Sequence, residues 1–141
     1  YDPGDPSMSF FTRLTRLPVT PVPGDGQYEV QPIHVDDLTR ALVTAIETPS
    51  LRDIIIDAGG GTILTFDRLL DTLARRQGKP AGARKLHIPW AVVRVVATAT
   101  DLLGGCGPIT RDELGMLRRG NQADNRPFIE WFGFAPRPFE G

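Results

Sequence analysis

Apolar residues recur along this chain at spacings that name its elements. Leu38, Ala41, Leu42, Ala45 and Ile46 fall at i, i+3, i+4, i+7 and i+8, while Arg40, Thr44 and Glu47 fall between them. Such spacing lays one apolar stripe along a helix, because a turn takes 3.6 residues. Asp36 stands where an N-cap carboxylate would accept the orphan amides of that helix. Phe66, Leu69, Leu70, Leu73 and Ala74 repeat the pattern, with Thr65 placed to cap the helix and Gly78 to end it. A third helix is predicted from Thr110, where Thr110 and Glu113 make a capping-box pair. Residues 90–103 are apolar almost all round, broken mainly by Arg94, threonines and Asp101, and Pro89 suits a first turn. That segment is too short to span a bilayer and is expected to be a buried helix; a helix lying on a membrane or in a partner's groove is the alternative. A short amphipathic turn is expected over residues 8–17.

Short β-branched runs at 33–35, 54–56, 84–88 and 19–22 read as strands. Their alternation with the helices favours an α/β layer over a bundle or a sandwich. The chain has 141 residues, enough for one domain with a real core. Net charge is −1, which gives no footprint for nucleic acid or an anionic membrane surface. One cysteine, Cys106, excludes an intrachain disulfide and a cysteine-rich zinc site, and points to a reducing compartment. The chain opens on Tyr1 and a turn-rich segment with no charged-then-apolar leader, so its start is expected to be a cut rather than a signal peptide.

Candidate chemistry is sparse. Gly59-Gly60-Gly61 lies between a predicted strand and a predicted helix, but the position that should hold the third glycine of a dinucleotide fingerprint is Leu64, and the P-loop lysine is missing. A flexible turn is the expected role. His34 and His87 lie in apolar runs without a metal-ligand partner at i+4, so both are expected to be hydrogen-bonded structural residues. Cys106 sits among glycines with no histidine at a recognisable spacing, and no serine occupies a nucleophile elbow. Arg118 and Arg119 suit a helix C-terminus. Phe128, Trp131, Phe132 and Phe134 are expected to pack in a core. Local chemistry thus offers no catalytic residue and no metal site.

Several stretches, taken in order, carry a resemblance. YDPGD at 1–5 is similar to a Tyr-Gly-Pro-Gly-Asp loop with Asp2 in place of the glycine. GDGQYEVQPIHVDDLTRAL at 24–42 is similar to the strand and helix that carry "hVdDla". DAGGGTILTFDRLLDTLARRQGK at 57–79 is similar to "gGpe.lTf.ell..la...G", and FGFAPRPFEG at 132–141 to "lGf.P..leeGl". Together they resemble the C-terminal part of the extended short-chain dehydrogenase/reductase family, the NAD(P)-dependent epimerases/dehydratases. Nucleotide-sugar epimerases of that family carry Arg-Asp-Tyr before "IHV", the arginine clamping substrate phosphate. Here Val30, Gln31 and Pro32 stand at those positions. The "VQP" form resembles the atypical branch that includes the nucleotide-binding accessory subunit of respiratory complex I.

The resemblance implies a fold and a division of labour. The fold class would be α/β, the C-terminal substrate-side lobe of a Rossmann-type protein, as one domain over 1–141 with the dinucleotide-binding domain absent. NAD or NADP is expected in the full-length protein and not on this fragment, because the family's glycine turn and Tyr-x-x-x-Lys pair have no counterpart here. Tyr1 and Pro3 are the implied cofactor contacts; Phe11, Gln31 and Trp90 are the implied substrate wall. With no arginine at position 30, a less charged, partly apolar carbonyl or quinone-like substrate is expected, oriented by Gln31. The partners implied are a small-molecule substrate and the missing N-terminal domain, with no nucleic acid, and with a membrane complex or a second copy left open. The expected location is cytoplasmic or peripheral to a membrane complex. Alternatives to a reductase or epimerase are a non-catalytic NADP(H)-binding subunit, an assembly factor, or a redox-sensing regulator.

Overall fold

The computed structural model describes Tyr1 and residues 6–51, 53–102, 115 and 120–139. Its elements alternate in an α/β order and group into two units. One comprises Phe10–Val30 and Leu64–Asn121, the other Tyr1–Ser9, Gln31–Ile63 and Gln122–Gly141. A first helix, α1 (Pro6–Leu14), lies in the region expected to hold an amphipathic turn.

In the first unit, β1 (Thr20–Pro23) pairs in parallel with β4 (Lys85–Ile88), Thr20 opposite Lys85 and Pro23 opposite Ile88. Pro21 and Pro23 are tolerated because each strand of a two-stranded sheet has a free edge. Parallel neighbours need a long crossover, and this one carries β2 (Glu29–Val30), β3 (Leu64–Thr65) and α3 (Phe66–Arg76), β2 and β3 being antiparallel. The five apolar positions read as a stripe on α3 are all buried. With Val22 they form the core of the unit. Thr65 caps α3 as expected, its Oγ1 accepting from the Arg68 amide at 3.3 Å. Gly78, at φ +81°, ends it, with Gly78 N–H donating to Arg75 O and Lys79 N–H to Ala74 O.

Helix α4 (Trp90–Leu102) corrects the buried-helix expectation, since Val92, Val95 and Val96 are 50–69% exposed. A helix apolar all round needs neighbours on every side. Among the described residues of this unit, only its Trp90 end is packed against other rings.

In the second unit, α2 (Val35–Glu47) carries the first stripe read from the sequence. Ala41 is buried, but Leu42, Val43 and Ile46 are exposed, Ile46 to 85%. His34, not Asp36, is the N-cap: its Nδ1 accepts from the Asp36 amide at 3.2 Å. The strands expected at 33–35 and 54–56 are absent, residues 31–34 and 54–60 being irregular. A β-branched run favours a pleated surface, but a ladder also needs a partner edge; the described partner of the 33–35 run is the single residue Tyr1, which donates its N–H to Ile33 O and accepts from the Val35 amide, too short an edge for a ladder. Helix α5 (Asn125–Phe132) was not foreseen. Asp124 caps it and Gly133, at φ +71°, closes it. Phe128 is fully buried and packs on Phe132 and Phe134, over which Arg40 sits at 4.1 Å; Trp131 stays 43% exposed rather than entering the core.

Pro3, Cys106, the Thr110–Glu113 pair, Arg118 and Arg119 lie outside the described residues. No helix among the described residues is long and apolar enough to cross a membrane.

Candidate functional site

The first unit holds a row of aromatic rings that ends at a cleft. Phe11 meets Phe66 edge-on at 5.3 Å, Phe66 stacks on Tyr28 at 5.0 Å, and Tyr28 lies 5.9 Å from Trp90. The row joins Phe11 and Trp90, the two expected wall residues of this unit, and Phe10 extends it beyond Phe11 at 5.7 Å. Phe66 and Tyr28, which join Phe11 to Trp90, carried no functional signal in the sequence: Phe66 read as a helix stripe position, and Tyr28 has Pro32 where a Tyr-x-x-x-Lys pair needs lysine.

The cleft, of about 550 Å³, is lined by Gly24, Asp25, His87, Pro89 and Trp90. Its shape depends on the turn after β1. Gly24 has φ +67°, and a Cβ there would come within 2.2 Å of the Trp90 Nε1. At Gly26, φ +68°, a Cβ would meet Asp67 Oδ1 at 2.1 Å. Only glycine fits at either position, and between them Asp25 is held on the rim, its Oδ1 accepting from the Gln27 amide at 3.1 Å.

Behind the rim runs a chain of charges. His87 Nε2 lies 3.2 and 3.1 Å from the two Asp67 oxygens. Lys85 Nζ donates to Asp71 at 2.7 Å and stands 3.7 Å from Asp67. His87 is thus hydrogen-bonded, as expected, but it also opens onto a cleft. The Tyr28 hydroxyl is buried with no hydrogen-bond partner among the described residues. Burial first, then the charges of Asp67 and Asp25, push its pKa above the ordinary phenol value. An unsatisfied buried hydroxyl costs about 1–3 kcal/mol, a reason for a ligand or water to meet it. No group of three or more potential metal-ligating side chains occurs among the described residues.

In the second unit, Gln31 is a tie between backbone segments. Its Nε2 donates to Gly60 O at 2.8 Å and its Oε1 accepts from the Ala123 amide at 2.8 Å. Tyr1 is half-buried, its ring edge-on to His34 and Phe139 at 5.0 and 4.9 Å, its carbonyl accepting from the Val35 amide.

The triglycine turn is neither a phosphate cradle nor a loose hinge. Gly59 N–H donates to Asn125 Oδ1, Gly60 N–H to Gln31 O and Gly61 N–H to Arg137 O. A phosphate site at a turn needs free amides aimed at the ligand, and these three are already used. A Cβ at Gly60 would fall 1.9 Å from Pro32 O. Glycine is required here for close packing. The described residues therefore do not furnish a dinucleotide phosphate site at this turn.

No family model matches the sequence, and no curated protein does. Solved structures do match. MoeE5 in complex with UDP-glucuronic acid and NAD superposes with a TM-score of 0.61 at 21% identity, over 98% of this chain and 39% of that one. MoeE5 with UDP-glucose and NAD gives 0.60 at 22%, with the same coverage. A nucleoside-diphosphate-sugar epimerase from Staphylococcus aureus gives 0.64 at 18%, over 95% of this chain and 46% of the epimerase. This chain has the fold of one portion of those proteins. It spans less than half the length of each. The α/β reading of the sequence therefore holds.

Proposed function

We propose that this chain is the substrate-side portion of an NAD(P)-dependent epimerase, dehydratase or reductase, inactive alone, with the dinucleotide held by a separate domain. The observation that carries the reading is the coverage: nearly the whole chain superposes on well under half of an NAD-bound protein. Two features support it. Leu42, Val43 and Ile46 on α2, and Ile54 and Ile55 further along, are exposed apolar side chains of the kind a neighbouring domain covers. The triglycine amides, where a phosphate would be sought, are spent internally.

On this reading the substrate side involves Phe11 and Trp90, with Gln31 acting through the backbone it ties, and the cofactor side involves Tyr1 and Pro3. The reading favours a substrate less charged than a nucleotide sugar, because Val30 stands where the resembled family carries its phosphate-clamping arginine; Arg13, Arg16 or Arg94 taking over that clamp is the competing arrangement. No chemical step is assigned to residues of this chain. The test has two arms. Calorimetric titration of the isolated chain with NAD(H) and NADP(H) should give no measurable binding, and micromolar affinity would overturn the division of labour. A longer protein that joins this sequence to a dinucleotide-binding domain should bind the cofactor and turn over uncharged carbonyl compounds in preference to nucleotide sugars.

A second reading is favoured by α4. Its exposed Val92, Val95 and Val96 suit a non-catalytic nucleotide-binding subunit that docks on a partner. Cofactor binding without turnover by the longer protein would select it.

A further inference from the structure

The cleft beside Trp90 offers acceptors and a π-face. Asp25 is exposed on its rim, and its Oδ1 is held by the Gln27 amide, which leaves Oδ2 turned to other use. His87 turns Nε2 to both Asp67 oxygens, and its ring lines the cleft. Asp25 and His87 line the cleft; behind them Asp67 holds His87 and Asp71 is paired with Lys85, so three carboxylates stand against one ammonium and one imidazole. The group stays net negative even if His87 is counted as a cation. The same negative field acts on the Tyr28 phenol. An anionic ligand would meet repulsion here, and a neutral polyol would gain nothing from the excess charge. A cation gains from both the carboxylates and the indole, whose face carries negative potential.

We propose that this cleft binds a small organic ammonium: the indole of Trp90 packs on its carbon frame and Asp25 is the counter-ion. This concerns equilibrium binding within one unit and does not depend on the function proposed above, so either can fail without the other. The probes are cyclohexylammonium, cyclohexanol and cyclohexanecarboxylate, which share one ring and differ in charge. The readout is the indole N–H resonance of Trp90, distinguished from the other tryptophan by Trp131→Phe. Cyclohexylammonium should shift it saturably and bind about tenfold more tightly than cyclohexanol, the combined worth of a cation–π contact and an exposed ion pair. Cyclohexanecarboxylate should be inert, and added salt should weaken the ammonium. Asp25→Asn keeps the acceptor for the Gln27 amide and should remove most of the preference. Equal binding of the alcohol and the ammonium, no shift with either, or an undiminished preference in Asp25→Asn would each overturn the assignment.

Discussion

Arg137→Ala tests how a residue at the end of the described chain holds the start of a helix a hundred positions earlier. The Arg137 amide donates to Asp37 Oδ2 at 2.8 Å, Nε to Oδ1 at 3.0 Å and an outer nitrogen to Oδ1 at 2.9 Å. The Asp37 side chain is 8% exposed and the arginine 49%. The second contact, to Asp36 at 3.5 Å, is with an exposed carboxylate and adds little. Removing the guanidinium leaves a buried carboxylate with one backbone N–H. A hydrogen-bonded charge of this kind is worth about 1.5–3 kcal/mol, so a loss of about 2 kcal/mol is expected. In urea that lowers the midpoint by about 1 M.

The pH dependence adds a sharper check. Burial raises the Asp37 pKa, but the amide and guanidinium of Arg137 outweigh it and hold the carboxyl below its ordinary value. A group depressed in the folded state stabilises above its unfolded pKa, about 3.9, and that stability goes as pH falls through the folded value. Without the guanidinium, burial is opposed by less. The difference between wild type and Arg137→Ala should therefore be largest near pH 7 and shrink in acid as Asp37 protonates. A penalty below about 0.5 kcal/mol, one equal at pH 7 and pH 3, or simple additivity with Asp37→Asn would refute the reasoning.

Gly60→Ala should cost at least about 3 kcal/mol, because its Cβ meets backbone at Pro32 O, whereas Gly133→Ala, with open space at φ +71°, should cost about 1 kcal/mol; chemical denaturation of both checks it. Asp124, whose carboxyl hydrogen bonds from Arg126 hold at about 2, caps α5. Its contribution should be present above the ordinary carboxylate pKa and fade as pH falls through about 2, so an Asp124→Ala difference seen by circular dichroism at pH 6 should vanish in strong acid. Ile46→Glu, on a side chain 85% exposed, should leave stability of this chain within about 0.5 kcal/mol. On the proposed division of labour the same change should impair assembly with a dinucleotide-binding domain, measured by co-purification of the separately expressed parts.

Much of the local structure was legible before any coordinates. Helices α2 and α3 follow from the 3.6-residue recurrence, and Thr65 and Gly78 mark the ends of α3, because caps and stripes are determined by neighbours in sequence. The short strands at β1 and β4 were read within a residue or so of their ends. The runs at 33–35 and 54–56 had the right residues and no ladder, since a strand is completed by a partner and not by its own composition. Helix α5 went unseen because four aromatic residues close together suggest packing without stating a period.

The site divides the same way. The family resemblance carried by the sequence pointed to Phe11 and Trp90, while residue type and spacing excluded a dinucleotide fingerprint at Gly59-Gly60-Gly61. Tertiary structure decided the rest. It joined Phe11 to Trp90 through Phe66 and Tyr28, set His87 on Asp67 from a position 20 residues away, and spent the triglycine amides on Asn125, Gln31 and Arg137. Local pattern determines what each segment prefers. Which distant atom satisfies a given donor or covers a given ring depends on how the segments meet, and burial makes that choice costly to leave unmade.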